Sequence, residues 1–434
     1  MTAHGEAPPA PVPAALPTLA YRSYVLIVLV AVYTFNFIDR QIVGILAVPI
    51  KIELSLTDSQ LGLMGGLAFA LFYTLLGIPI ARLADRASRV RIMTVALALW
   101  SLMTAACGLT HSFVQLFMAR LGVGVGEAGG VAPAYSLICD YFPPHQRARA
   151  LSFYSFGIPV GSALGIVLGG FITRWMSWRM AFFIVGLAGL MMVPLLKLVR
   201  EPTRGQYDET RAARARPSLL HVAAFLAKRP SFWGLSLGAA SCSMMGYGLA
   251  FWMPSFLVRS FTLTVVQASL AYGTLVLIGG LAGIWFGGMI ADKHGGRRKA
   301  IYALIPAVAF LATVPFYVAG VLSNTIAVCM LVLLVPTALG LAWLGPILTA
   351  IQHLVPPDMR ATASAIFLFI NNLLGIGLGT TLIGALSDAL RVRAGAESLR
   401  YAILGGTGLY ILAAMFFFYA ARHLDTDWQR ERAQ

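Results

Sequence analysis

The sequence predicts an all-α membrane protein of twelve transmembrane helices in two six-helix, pseudo-symmetric bundles, and three observations carry that expectation. Of its 434 residues, 59% are apolar or aromatic and 11% are charged, against about 45–50% and about 25% in an ordinary soluble domain. The apolar residues fall in long continuous runs separated by Gly, Pro or charge clusters, and at about 20 residues per crossing the chain holds a dozen of them. The second half of the chain then repeats features of the first at a nearly constant offset.

The runs place spans at 23–49, 58–83, 91–109, 113–140, 148–172, 178–199, 231–258, 267–291, 300–320, 325–352, 361–387 and 401–421. They are too long and too continuously apolar for barrel strands, so helices are expected. The domain organisation follows: an Ala- and Pro-rich tail (1–22), a first bundle (23–199), a polar linker (200–230), a second bundle (231–421) and a tail (422–434).

A net charge of +15 would suggest nucleic acid in a soluble protein. Here, of 32 Lys and Arg residues, 23 fall in the tails and the loops on one side, 7 on the other, and 2, Arg40 and Arg120, within spans. By the positive-inside rule both termini are cytoplasmic, and the basic surplus is a topology signal with no nucleic-acid partner implied. Arg211, Arg214, Arg216, Lys228 and Arg229 remain candidates for anionic lipid headgroups. The four cysteines lie singly in apolar stretches and the histidines at span ends, loops or tails, so neither a metal site nor a cofactor is expected.

The repeat is specific. Thr57, Gln60 and Asp85 recur as Thr264, Gln267 and Asp292, all 207 residues later, and Pro143, Pro144 and Arg147 recur as Pro356, Pro357 and Arg360, all 213 later. Two parallel six-helix repeats with the site between them are an architecture of secondary transporters. Asp85, Arg86, Arg89, Asp140, Arg147 and Asp292 sit at helix ends on the basic side, where charge pairs can hold a cavity closed. They are the expected cytoplasmic gate.

Charges within spans are costly and therefore functional candidates. Asp39 and Arg40 lie in the first span and Arg120 and Glu127 in the fourth, while spans seven to twelve hold no deep charge. Arg120 and Glu127, seven apart, return to nearly one face about 10 Å apart along the axis. Arg120 can pair with Asp39, with Glu127 or with an anionic substrate, and Arg40 can join that switch or snorkel. A carboxyl in an apolar cavity holds its proton more firmly and a nearby arginine loosens it. Asp39 and Glu127 are thus the expected proton carriers and Arg120 the charge switch. A static salt-bridge cluster is the alternative. Phe37, Tyr73, Tyr247, Trp252, Tyr272, Asn371 and Asn372 are the expected cavity lining, and Gly157, Gly161, Gly165 and Gly169 form a face for close helix crossing.

The segments Ala81–Arg89 and Gly288–Arg297, with Asp140–Arg147, resemble the signature loops of the major facilitator superfamily, although Ala81 and Ser88 stand where glycines are usual. Asn36-Phe-Ile-Asp-Arg40, Arg120-Leu-Gly-Val-Gly-Val-Gly-Glu127, Ile158–Gly165, Arg200-Glu-Pro-Thr-Arg-Gly205, Trp252–Arg259 and Leu382–Asp388 are similar to the spinster group over nearly the whole chain. That resemblance implies alternating-access, proton-coupled transport of an amphiphilic lipid such as a lysophospholipid or sphingosine phosphate, by a monomer without enzymatic activity. It assigns Asp39, Arg120 and Glu127, and less securely Arg40, to the mechanism. A symporter of sugar acids, a drug exporter and a lipid sensor are the alternatives. Short loops and Ala/Arg usage fit a bacterial inner membrane.

Overall fold

The computed structural model describes residues 17–84, 86–205, 207, 218–294, 299–340, 343–356 and 359–432, with side chains omitted at 144–145, 148, 284–294, 344, 361 and 429–432. The first half comprises α1 (Leu19–Leu54), α2 (Asp58–Gly65), α3 (Leu67–Ala84), α4 (Arg89–Cys107), α5 (Phe113–Glu127), α6 (Val131–Tyr141), α7 (Pro144–Ser155), α8 (Gly157–Trp175) and α9 (Trp178–Lys197). A short linker helix, α10 (Leu219–Ala227), leads to the second half. That half comprises α11 (Pro230–Phe261), α12 (Val265–His294), α13 (Ile301–Leu322), α14 (Ile326–Leu339), α15 (Leu344–His353), α16 (Arg360–Ala394), α17 (Ser398–Gly406) and α18 (Gly408–Arg432).

Each half makes six passes, with α2–α3, α5–α6, α7–α8, α14–α15 and α17–α18 forming single passes interrupted by a residue or a short turn. Eight stretches are long and apolar enough to cross a membrane by length and composition. The pass α5–α6 falls outside that set because it is broken and carries Arg120 and Glu127. The face where α1 begins and α18 ends is called the terminal face below, and its counterpart the far face.

The repeat reads out in local geometry. Thr57 and Gln60 form a reciprocal capping box at the start of α2, with Thr57 N donating to Gln60 Oε1 at 3.0 Å and Gln60 N to Thr57 Oγ1 at 3.1 Å. Thr264 and Gln267 form the same box before α12, at 3.0 and 3.3 Å. The helices before them end at Ser55 and Thr262, the two non-glycine residues with positive φ among those described, at 51° and 52°. Arg147 Nε donates to the Cys139 carbonyl at 2.9 Å, and Arg360 Nε, 213 residues on, donates to that of Gln352 at 3.0 Å.

Side-chain volume decides which helices touch. Added Cβ atoms at Gly161, Gly165 and Gly169 would collide with α1, at Thr34, Ile38 and Ile45, and one at Gly157 would crowd Tyr33, so the glycine face of α8 is the α1 crossing. Between halves, Gly62 and Gly66 let the first helix of the second pass press on the Thr380 backbone and side chain of α16.

One segment departs from the sequence expectation. Residues 422–432 continue α18 as helix instead of leaving as a tail, because Leu424, Asp427 and Trp428 find burial there. Asp427 Oδ2 accepts from Ser231 N at 3.0 Å at the start of α11, and Trp428 stacks on Tyr302 and on His353 at 5.9 and 4.8 Å between ring centroids.

Candidate functional site

Three helices assemble the buried charges. α1 supplies Asp39 and Arg40, α5 supplies Arg120 and Glu127, and α3 lies against both with Phe69 and Tyr73. Adjacent residues on a helix diverge by about 100°, so Asp39 and Arg40 face different neighbours. Asp39 points into the first half, where Oδ1 accepts from Arg120 Nη1 at 3.4 Å and Oδ2 from Thr104 Oγ1 at 2.5 Å. Arg40 Nε donates to Glu127 Oε2 at 2.8 Å.

These two pairs resolve what spacing left open. Arg120 takes Asp39, and Arg40 does not snorkel but takes Glu127, because Glu127 and Arg120 stand about 10 Å apart on α5 and each reaches a different residue of α1. The pairs differ in surroundings. Asp39 and Arg120 are both buried, whereas the Arg40 side chain keeps 12% exposure and its guanidinium carbon lies 5.2, 4.8 and 4.7 Å from the ring centroids of Phe37, Phe69 and Tyr73. Glu127 is fully buried and its second oxygen, Oε1, has no hydrogen-bond partner among the described residues. A buried carboxylate half satisfied in this way is where proton or ligand exchange costs least packing.

A small cavity of about 40 Å³ lies between the halves beside these pairs. Phe37, Arg40, Gln41 and Arg120 line it from the first half, and Tyr247, Phe251, Ile376 and Thr380 from the second. Of the expected lining residues, Phe37 and Tyr247 face this cavity, and Tyr73 flanks Arg40. Trp252 is fully buried with Nε1 donating to the Thr380 carbonyl at 2.8 Å, and Tyr272 is in the second half's core. Asn371 accepts from Ser243 Oγ at 2.8 Å and donates to Asn372 Oδ1 at 3.4 Å, inside the second half. Gln41 and Thr380 were missed, because a single Gln or Thr in an apolar run carries no distinguishing spacing.

At the terminal face Arg89 is buried and hydrogen-bonded to Asp140, to Glu201 Oε1 at 2.7 Å and to Ser136 Oγ at 2.8 Å. Glu201 closes the network by accepting from Ser88 Oγ at 2.8 Å and Val90 N at 3.0 Å. Burial pushes the Glu201 carboxyl up, but the Val90 N–H, Arg89 and Ser88 outweigh it and hold it below the ordinary carboxylate range. Asp140 also accepts from Gly205 N at 2.9 Å, and Arg204 donates to the Ala84 and Ala87 carbonyls at 2.8 and 2.7 Å. Arg200–Gly205 is thus a strap over the first half, although its sequence offered only a resemblance. Arg147 caps the end of α6, Arg86 is exposed, and Asp85 and the Asp292 side chain lie outside the described residues.

The far face holds a second network that spacing did not reveal. Asp58 accepts from Arg259 through both guanidinium nitrogens at 2.7 Å, from Lys51 Nζ at 2.5 Å and from Ser387 Oγ at 2.8 Å. Asp388 in turn accepts from Asp58 N at 3.1 Å, Ser59 N at 2.7 Å and Ser59 Oγ at 2.6 Å. The hydrogen bonds seen between the halves among the described residues, including Thr380 and Thr381 on the Gly62 carbonyl, lie toward this face. The halves are therefore latched together at the far end.

The family model described as Major Facilitator Superfamily matches residues 29–380. An MFS-type efflux pump of Mycolicibacterium smegmatis is 33% identical over 381 residues, covering 87% of each chain, and the Xenopus laevis protein spinster homolog 1 is 28% identical over 444 residues, covering 96% of this chain and 84% of that one. The crystal structure of a bacterial homolog to the human lysosomal transporter Spinster, inward-facing and unoccupied, superposes with a TM-score of 0.85 at 33% identity, covering 95% of this chain and 99% of that one. The chain belongs to the major facilitator superfamily, in its spinster group, and is a membrane transporter, not an enzyme.

Proposed function

We propose that this transporter couples proton movement to alternating-access transport of an amphiphilic anion, a lysophospholipid or sphingosine phosphate, across a bacterial inner membrane, with the terminal face cytoplasmic. The observation that carries the reading is the pair of ion pairs beside the cavity, Asp39–Arg120 and Arg40–Glu127, with both arginines in its lining. Arg40 offers a guanidinium fork to a phosphate, held by three rings against apolar walls suited to an acyl chain. A proton on Glu127 releases Arg40 to the headgroup, and a proton on Asp39 releases Arg120. The far-face latch gives the state open to the cytoplasm, and the Arg89–Asp140–Glu201 network acts as the cytoplasmic gate. The chain works as a monomer, with the first bundle at 23–199 and the second at 231–421.

Export of amphiphilic toxins is the second reading, favoured by the likeness to the M. smegmatis efflux pump. Flux into proteoliposomes under an imposed pH gradient, with a fluorescent lysophospholipid, ethidium and gluconate compared, separates the readings. Gradient-driven lysophospholipid flux lost in Arg40→Ala supports the first. Ethidium flux alone supports export of toxins, and gluconate flux alone a sugar-acid symporter. Binding without flux of any of the three points to a sensor.

A further inference from the structure

Phe69 is the one ring that stands over both arginines. Its centroid lies 4.8 Å from the Arg40 guanidinium carbon and 5.7 Å from that of Arg120, and it lines the wall that both present to the cavity. The side chain is buried, stacks on Tyr73 at 5.1 Å, and its backbone carbonyl meets α5 at Gly124, where an added Cβ would collide. The ring is therefore fixed between two cations whose carboxylate partners are Glu127 and Asp39. Arg40 has two further rings, Phe37 and Tyr73, while among the described residues Phe69 alone lies over Arg120.

We propose that Phe69 is a positioning residue that couples the two ion pairs, so that Asp39 and Glu127 exchange their protons as one unit. The inference rests on the proton-coupled reading above and deepens it. A guanidinium that loses its carboxylate leans on the π face beside it, and because both arginines share one clamped ring, a shift of either displaces the contact of the other. Arg40 stays at the cavity wall on its remaining rings when Glu127 is protonated. Arg120 has no such second hold and is the one that moves. The other titratable groups around the pairs are Cys107 of α4 near Asp39 and Arg120, and Tyr33, Tyr73, Tyr154 and Tyr247 around Arg40.

The test is the pH dependence of the open and closed populations of the full chain in lipid vesicles, read as spin-label distances across the far face. Wild type is expected to switch in one step involving about two protons, and Phe69→Leu to lower that number toward one and to displace the midpoint by about one pH unit. Phe69→Tyr, which keeps the π face, is expected to restore the wild-type curve. Should Phe69→Leu fail to fold, pentafluorophenylalanine at position 69 keeps the shape and reverses the ring's charge distribution, and the same broadening is expected. A Phe69→Leu or pentafluorophenylalanine curve that matches wild type, while Asp39→Asn and Glu127→Gln shift it, overturns the coupling role alone. A wild type indifferent to pH overturns the proton reading together with it.

Discussion

The interiors of the two halves share a fold and differ in chemistry. The first holds two ion pairs, Asp39–Arg120 and Arg40–Glu127, whereas the second holds neutral contacts such as Ser243–Asn371 and a stacked column of Phe310, Tyr410 and Tyr317. The duplicated features, the capping boxes and the arginine caps, are those that build helices. The unduplicated ones include the charges buried within the spans, Asp39, Arg40, Arg120 and Glu127. One half therefore holds the buried charge, and the other offers a neutral surface beside it, tied to it at the far face by Arg259 and Asp388.

The largest effect separates the interiors directly. Asp39→Ala leaves Arg120 buried without a carboxylate, and breaking a buried pair from one side costs about 3–5 kcal/mol, whereas Asn371→Ala removes a neutral hydrogen bond worth about 1–3 kcal/mol in lost satisfaction. Thermal unfolding in detergent is expected to show Asp39→Ala well below Asn371→Ala, and equal melting temperatures would erase the contrast.

Next comes the tie between the halves. Arg259→Ala removes two charge-assisted hydrogen bonds to Asp58, and even the low end of their worth, about 1.5 kcal/mol, shifts a two-state population about tenfold. Labelling of a cysteine placed at Gln41 by a thiol reagent from the far side is expected to accelerate by that order, with an unchanged rate removing the latch from the mechanism.

The terminal-face network gives a pH signature of its own. Glu201 sits below its ordinary range when folded, so the stability it contributes is complete above its unfolded value, about 4.3, and is lost as pH falls through the lower folded value. Glu201→Gln is expected to be less stable than wild type at neutral pH and to converge with it at the acid end. A constant difference across pH 3 to 7 would assign Glu201 to packing alone.

The smallest effect tests the symmetry itself. Thr57→Ala and Thr264→Ala each remove one capping box, at about 1 kcal/mol, and similar losses of melting temperature are expected. A much larger loss at Thr57 would mean that its box also sets the position of the adjacent Asp58.

Much of this was legible in the residues. Apolar runs and the 207- and 213-residue offsets foretold the passes and the repeat, and the glycine spacing foretold a close helix crossing without naming α1 as its partner. Asp39, Arg40, Arg120 and Glu127 stood out because charge inside a span is rare. Their pairing did not, since an arginine reaches several ångströms along its helix and spacing alone does not select its partner. Asp58 and Asp388 were silent for another reason: each reads as an ordinary polar residue at a helix end, and only the fold brings positions 330 apart together. Leu424, Asp427 and Trp428 looked like a solvated tail because three buried residues in so short a segment leave little periodicity.

The central claim is that the first half's two carboxylates carry the protons. Proton uptake by the purified protein on an acid pulse, followed with a pH dye, tests it without knowledge of the substrate. Expected is an uptake step in wild type that Asp39→Asn with Glu127→Gln abolishes, while Asn371→Ala leaves it intact. An uptake step of the same size and midpoint in the doubly neutralised protein would contradict the claim.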